Sequence, residues 1–219
     1  MRDPNNKTKI VFDFDHTLFS TRRFYNTFKK AFEKLGVDEK LFQETFKKSK
    51  EKGRYYKPSK QIKLITKKNP KISSKKLKES SEKALSRARK FLYPDALPLL
   101  RKSKRKYNFY ILSCGKEKFQ RQKIKISGIS KYFKKILITQ DDYKTSALKK
   151  ILKNKERILF IDDQPLVLFK IKKTFPEVIT IRINRGEGGH VKERDNSKID
   201  FSIKNFKQLE KILKRNFKN

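Results

Sequence analysis

Lys9-Ile10-Val11-Phe12-Asp13-Phe14-Asp15-His16-Thr17 begins as an apolar run and ends on two carboxylates two positions apart. Residues 9–14 are rich in Ile, Val and Phe and bounded by polar residues, which predicts a short strand buried on both faces. Side chains at i and i+2 of an extended segment point the same way, so Asp13 and Asp15 share a face where the strand gives way to a turn. A buried strand of this kind belongs in a sheet covered by helices.

The C-terminal side of the chain supplies that sheet. Helix-period and strand-period patterns alternate: helix near 97–102, strand 109–112, helix 117–126 stopped near Gly128, strand 136–139, helix 147–152, strand 158–161, helix 166–175, strand 178–183 and a last helix near 206–217. Strands separated by helices of this length need right-handed crossovers and hence a mostly parallel sheet. Between the first strand and this alternation, the pattern is helical throughout. Phe24, Phe28, Phe32 and Leu35 form one stripe closed by Gly36, a second helix covers about 39–50, residues 53–59 read as a loop, and another helix runs from the Ser73-Ser74 pair to about residue 92. No strand is expected in that block. The predicted fold is α/β: a Rossmann-like, mostly parallel sheet with helices on both faces, built from residues 1–19 and 92–219, interrupted by an all-helical insertion at 20–91.

Apolar residues are 35% of the 219-residue chain and charged residues 38%, so the core must be drawn from such short blocks. No apolar stretch approaches a bilayer span and the first nine residues lack the apolar centre of a secretory signal, so no membrane partner is expected. Cys114 is the only cysteine, which excludes an intrachain disulfide and makes a cytoplasmic setting the expectation. Sixty Lys and Arg against 23 Asp and Glu give a formal charge of +37, which attracts polyanions and makes nucleic acid a candidate partner. The excess is mostly dispersed Lys, with abundant Asn, Ile and Phe, as A+T-rich coding would impose. A solvated surface is the leading reading of it. Nothing in the sequence sets an oligomeric state.

In open α/β sheets the site lies beyond the carboxyl ends of the strands, and four constellations fall there. Asp13 and Asp15 follow the first strand. Two such carboxylates can divide a phosphoryl transfer, one attacking phosphorus and the other exchanging protons with the leaving oxygen and with water. Ser113-Cys114-Gly115 follow the second, a hydroxyl and backbone amides suited to phosphate oxygens. Lys144 follows the third, where an ammonium neutralises phosphoryl charge. Asp162-Asp163 follow the fourth, and adjacent carboxylates behind four apolar residues need a cation or hydrogen bonds to hold them; a hard divalent ion fits.

In this order the motifs resemble the haloacid dehalogenase superfamily of aspartate-nucleophile phosphatases, whose core shows DxDxT, Ser or Thr, Lys, and an acidic pair. Here these are Asp13, Asp15 and Thr17; Ser113; Lys144; and Asp162 with Asp163. The resemblance covers residues 8–19 and roughly 92–182, and the insertion at 20–91 stands where this family carries a helical cap. It implies an aspartyl-phosphate on Asp13, general acid and base work by Asp15, and Mg²⁺ held by the Asp13 side chain, the Asp15 backbone carbonyl and Asp163, with Asp162 as a supporting neighbour. Thr17, Ser113, Cys114 and Gly115 are then on the phosphate side of the substrate. Arg54, Tyr55 and Tyr56 in the cap are candidate substrate contacts. His16 stands where the family commonly has Gly, and residues 166–170 lack a second acid. The presence of Asp15 argues for phosphate chemistry over carbon–halogen cleavage.

The expected function is a Mg²⁺-dependent phosphatase acting on a small phosphorylated metabolite. The alternatives are a phosphotransferase of the sugar phosphomutase kind, and a nucleic-acid binder or polynucleotide-end phosphatase. His16, His190 and Cys114 make no zinc constellation. Cys114 reads as a small buried residue, and Gly186-Glu187-Gly188-Gly189 reads as a mobile loop.

Overall fold

The protein is described by a computed structural model covering residues 7–51, 55–141, 143–152 and 157–217. Its first elements are β1 (Lys9–Phe12), α1 (Thr21–Glu33), α2 (Glu39–Ser49), β2 (Lys50–Glu51), β3 (Tyr55–Tyr56), α3 (Pro58–Lys68) and α4 (Ser74–Ser86). Then come α5 (Ala96–Ser103), β4 (Asn108–Cys114), α6 (Glu117–Ile126), β5 (Phe133–Thr139) and α7 (Thr145–Lys149). The last are β6 (Ile158–Asp162), α8 (Pro165–Thr174), β7 (Ile179–Ile183), β8 (Phe201–Ile203) and α9 (Phe206–Asn216). These pack into two compact units, one of Met1–Ser20, Leu92–Cys114 and Ile129–Asn219, the other of Thr21–Phe91 and Gly115–Gly128.

The first unit is built on a six-stranded sheet in the order β5-β4-β1-β6-β7-β8, and every neighbouring pair is parallel. The chain starts in the middle, steps outward through β4 and β5, then returns to the other side of β1 with β6. In open sheets of this kind the strand order reverses beside the first strand, and functional groups gather at the carboxyl ends of the strands there. Period-2 alternation divides β1 between the two faces. Val11 joins Leu148 of α7 and Leu168 and Ile171 of α8 in a buried apolar cluster. Phe12 meets Phe109, Phe133 and Phe206 of α9, its ring centroid 5.7, 6.3 and 5.6 Å from theirs. Even Lys9 is buried, and its ammonium donates to the Ile151 carbonyl at 2.9 Å.

β8 is absent from the sequence reading. It has three residues, too few to show a period, and forms by pairing with β7.

The second unit is helical around an aromatic core. Phe24, Phe28 and Phe32 of α1 are buried as the stripe predicts, with Phe42 of α2 among them. Three boundaries differ from the sequence reading. Residues 53–59 are not simply a loop: Tyr55 and Tyr56 pair with Lys50 and Glu51 in a two-residue antiparallel ladder, and α3 starts at Pro58. Proline's fixed φ suits a first helical turn, while a two-residue ladder leaves no pattern to read. The helix expected to reach residue 92 ends at Ser86 and is followed by a 3₁₀ turn, Ala88–Phe91. Finally, α6 is grouped with the helical unit, whereas a division at residues 20 and 91 puts it with the sheet. It packs on α4 and on the 3₁₀ turn, and its Phe119 ring lies 6.3 Å from Phe24 and 5.8 Å from Tyr56. Among the described residues, no helix is long and apolar enough to cross a membrane.

Candidate active site

The sheet delivers its acids by simple continuation. Asp13 extends β1 by one step, donating its N–H to Ile161 of β6 at 2.8 Å, so the strand stays paired up to the carboxylate. Asp162 is the last residue of β6 and Asp163 the next. Since β1 and β6 are paired in parallel register, Phe12 opposite Ile161, their tips coincide. Asp13, Asp162 and Asp163 are buried, and each offers an oxygen within 4.8 Å of the others.

Lys144 comes to the same point from β5. Its backbone is left-handed, at φ 61°, immediately before α7. Asp141 shapes this turn: its carboxylate accepts the N–H groups of Tyr143 and Ser146, both at 3.1 Å, and the hydroxyls of Ser146 at 3.0 Å and Thr145 at 3.3 Å. Partial burial would raise the Asp141 carboxyl, but these donors outweigh it and hold it below the ordinary aspartate value. The result is a lysine side chain 1% exposed, donating to Asp13 Oδ1 at 2.5 Å and to Asp162 Oδ2 at 2.7 Å. In a chain with 60 cationic residues, a lysine shielded to this degree stands apart from a solvated surface.

The electrostatics follow from burial. Burial alone would strip the Lys144 proton, but the charges of Asp13 and Asp162 hold the ammonium well above the ordinary lysine value. Burial, and the charges of Asp162 and Asp15, push Asp13 up to about 7 against the pull of Lys144. Asp163 is likewise pushed far up, by burial first and then by Asp162 and Asp13. Three carboxylates facing one ammonium are therefore short of positive charge, and the donors are all oxygen. That donor set suits a hard divalent cation such as magnesium.

The remaining sequence candidates are placed as follows. Asp15 is half-buried on the turn after Asp13; its carboxylate is not one of the three that converge, though its charge reaches Asp13. Thr17 is fully buried and its Oγ1 has no hydrogen-bond partner among the described residues. Ser113 is 1% exposed at the tip of β4. Cys114 is only half-buried, its thiol 3.5 Å from the Asp141 carbonyl oxygen. Gly115 is counted with the helical unit, where a Cβ in its place would come within 2.7 Å of Gln120 Cγ. Arg54 lies outside the described residues. Tyr56 is packed among Phe28, Phe46 and Phe119, and its hydroxyl donates to Gln61 at 2.5 Å, so it belongs to the helical core. Asp141 is missed by sequence reading, although an acid followed by Thr145-Ser146 before a helix is a turn signature.

A family model described as haloacid dehalogenase-like hydrolase matches residues 10–179. The chain belongs to this family. Like its relatives in the haloacid dehalogenase-like family, it is a hydrolase. Similar solved structures include a haloacid dehalogenase-like hydrolase of Burkholderia xenovorans LB400, at TM-score 0.74 and 17% identity over 94% of this chain and 96% of that one. The HAD-hydrolase YfnB of Bacillus subtilis, bound to magnesium, aligns at TM-score 0.64 and 17% identity over 95% and 99%. L-2-haloacid dehalogenase of Xanthobacter autotrophicus aligns at 0.61 and 17% over 97% and 100%. These likenesses concern the fold. No curated protein matches the sequence.

Proposed function

We propose that this hydrolase is a Mg²⁺-dependent phosphatase that cleaves a small phosphomonoester through an aspartyl-phosphate on Asp13. The observation that carries the reading is the meeting of Asp13, Asp162 and Asp163 around the Lys144 ammonium, with Asp15 two residues beyond Asp13. An Asp13 oxygen attacks phosphorus as the bond to the ester oxygen breaks. Asp15 gives that oxygen its proton, then takes one from the water that attacks the aspartyl-phosphate, releasing phosphate and restoring Asp13. Carbon–halogen cleavage releases halide, which needs no such acid. Lys144 holds Asp13 in place and offsets charge in a buried site. Thr17 Oγ1, buried without a partner among the described residues, and Ser113 are suited to phosphate oxygens. Asp13, Asp163 and the Asp15 carbonyl would hold the magnesium ion, with Asp162 in support. When bound, it neutralises the charge that a phosphate brings to three carboxylates.

Purified protein is expected to hydrolyse an aryl phosphate with Mg²⁺ and to lose that activity in EDTA. Mg²⁺ should also raise the melting temperature, since an ion that binds only the folded state stabilises it. Equal rates with and without the ion would remove the proposal. Product analysis with a hexose phosphate separates hydrolysis, which yields inorganic phosphate, from transfer to a second hydroxyl.

A phosphorylated oligonucleotide end is the second reading of the substrate. It is motivated by the formal charge of +37, part of which falls on Lys30, Lys34, Lys83 and Arg87 at the rim of a mainly apolar groove of about 460 Å³ between α1 and α4. Replacing the three lysines by Glu should weaken oligonucleotide binding and flatten its salt dependence. Unchanged binding would leave the small ester as the substrate class.

A further inference from the structure

We propose that the loop at 185–188, which follows β7, is a clamp on the Asp13 to Thr17 turn, with Arg185 as the residue that positions the proposed acid Asp15. The turn needs support from outside. His16 adopts φ 58°, a region sparsely populated by residues with a Cβ, and such a conformation persists only where its surroundings fix it. Inside the turn, the His16 N–H donates to Phe19 O at 2.7 Å, and the Leu18 and Phe19 N–H groups both donate to Phe14 O at 3.0 Å.

The outside support comes from Arg185. Its Nε and Nη2 both donate to the Thr17 carbonyl, at 3.2 and 3.0 Å, and its Nη1 donates to Asp95 Oδ2 at 2.8 Å. The side chain is 5% exposed, with the guanidinium over the rings of Tyr93 and Phe206, 4.2 and 4.3 Å from their centroids. Asp95 is held in turn by the Phe206 N–H at 2.8 Å. A planar fork held against two rings and neutralised at one end is fixed in orientation, and what it grips is the backbone two residues after Asp15.

The rest of the loop presses on His16. Glu187 accepts the Tyr93 hydroxyl at 2.5 Å and lies 3.7 Å from His16 Nδ1. Gly188 sits so close that a Cβ there would come within 3.1 Å of the imidazole, at a φ of 101° that other residues rarely adopt. The mobile loop expected from the glycines is thus anchored at Arg185, Glu187 and Gly188. Glycine is used at 188 for close approach to His16.

The catalytic part of the inference rests on the phosphatase reading; the clamp itself does not, and two readouts separate them. Arg185→Lys keeps a charge for Asp95 but loses the fork on Thr17. It is expected to melt within a few degrees of the native protein and to exchange the Leu18 and Phe19 amides several-fold faster by hydrogen-exchange mass spectrometry. It should lower kcat on an aryl phosphate by roughly 10–100-fold with KM within about threefold, as small misplacements of a reacting group do. Gly188→Ala, on a half-exposed loop, is the second variant and should act in the same direction. Native exchange rates in both folded variants would overturn the clamp. Faster exchange with native kcat would overturn the positioning role. Faster exchange in a protein without phosphatase activity would support the clamp and refute the proposed function instead.

Discussion

Asp13→Asn is expected to lower kcat by about 10⁴-fold or more while leaving the fold intact. Asn has the shape of Asp but cannot form an acyl phosphate, and no other acid takes the place of Asp13 at the end of β1. Lys144 keeps its contact with Asp162, so its ammonium is not stranded. The stability effect has the opposite sign to the activity effect. Asp13 is pushed from the ordinary 3.8 up to about 7 in the folded chain, so the unfolded chain gives up this proton first as pH rises. Folding therefore loses stability progressively across that window and carries the full cost of a buried anion above it. Without divalent cation, Asp13→Asn should melt no lower than the native protein above pH 7, with its advantage shrinking toward pH 4. A substantial residual kcat would remove Asp13 as nucleophile; a melting temperature lowered by several degrees above pH 7 would remove the account of its electrostatics.

Lys144→Met should be the most damaging single change to the fold of the site. It removes the ammonium that bonds Asp13 and Asp162 among three buried carboxylates, and breaking one side of a buried ion pair typically costs about 3–5 kcal/mol. Because the folded chain holds the Lys144 proton above the ordinary value of 10.5, its contribution is fully present below that pH and fades only in stronger alkali. Urea unfolding at neutral pH therefore reads the whole effect. Adding Asp162→Asn to Lys144→Met should return part of the loss, since the pair is then removed together. A double variant no more stable than Lys144→Met alone would mean that the lysine acts by packing. Activity should fall about 10²-fold or more in both, because charge in the transition state goes unmatched.

These effects differ in how far they could be foreseen. The strand at residues 9–12 needed no tertiary information: four apolar-rich residues before an acid have few other solutions, and the stripe of Phe24, Phe28 and Phe32 declares a helix by its period. Asp162 and Asp163 were equally visible, because paired acids behind an apolar strand are too costly to be incidental. Lys144 was different. Its order in the chain pointed to it, but among 60 cationic residues only its contacts with Asp13 and Asp162 distinguish it. Local pattern also failed where pairing with a distant partner makes the structure, as in the three residues of β8 and the Tyr55–Tyr56 ladder.

The sequence by itself determined the alternation of strand and helix, the helical insertion, and the four acids that end up near one another or beside the same turn. Those follow from periodicity and from the cost of burying charge, both written locally in the chain. Tertiary structure alone decided that α6 belongs with the helical unit, that Asp141 shapes the Lys144 turn, and that Arg185 grips Thr17 across 168 positions of sequence. Contacts of that range depend on which surfaces the folded sheet brings together, and no local spacing encodes them.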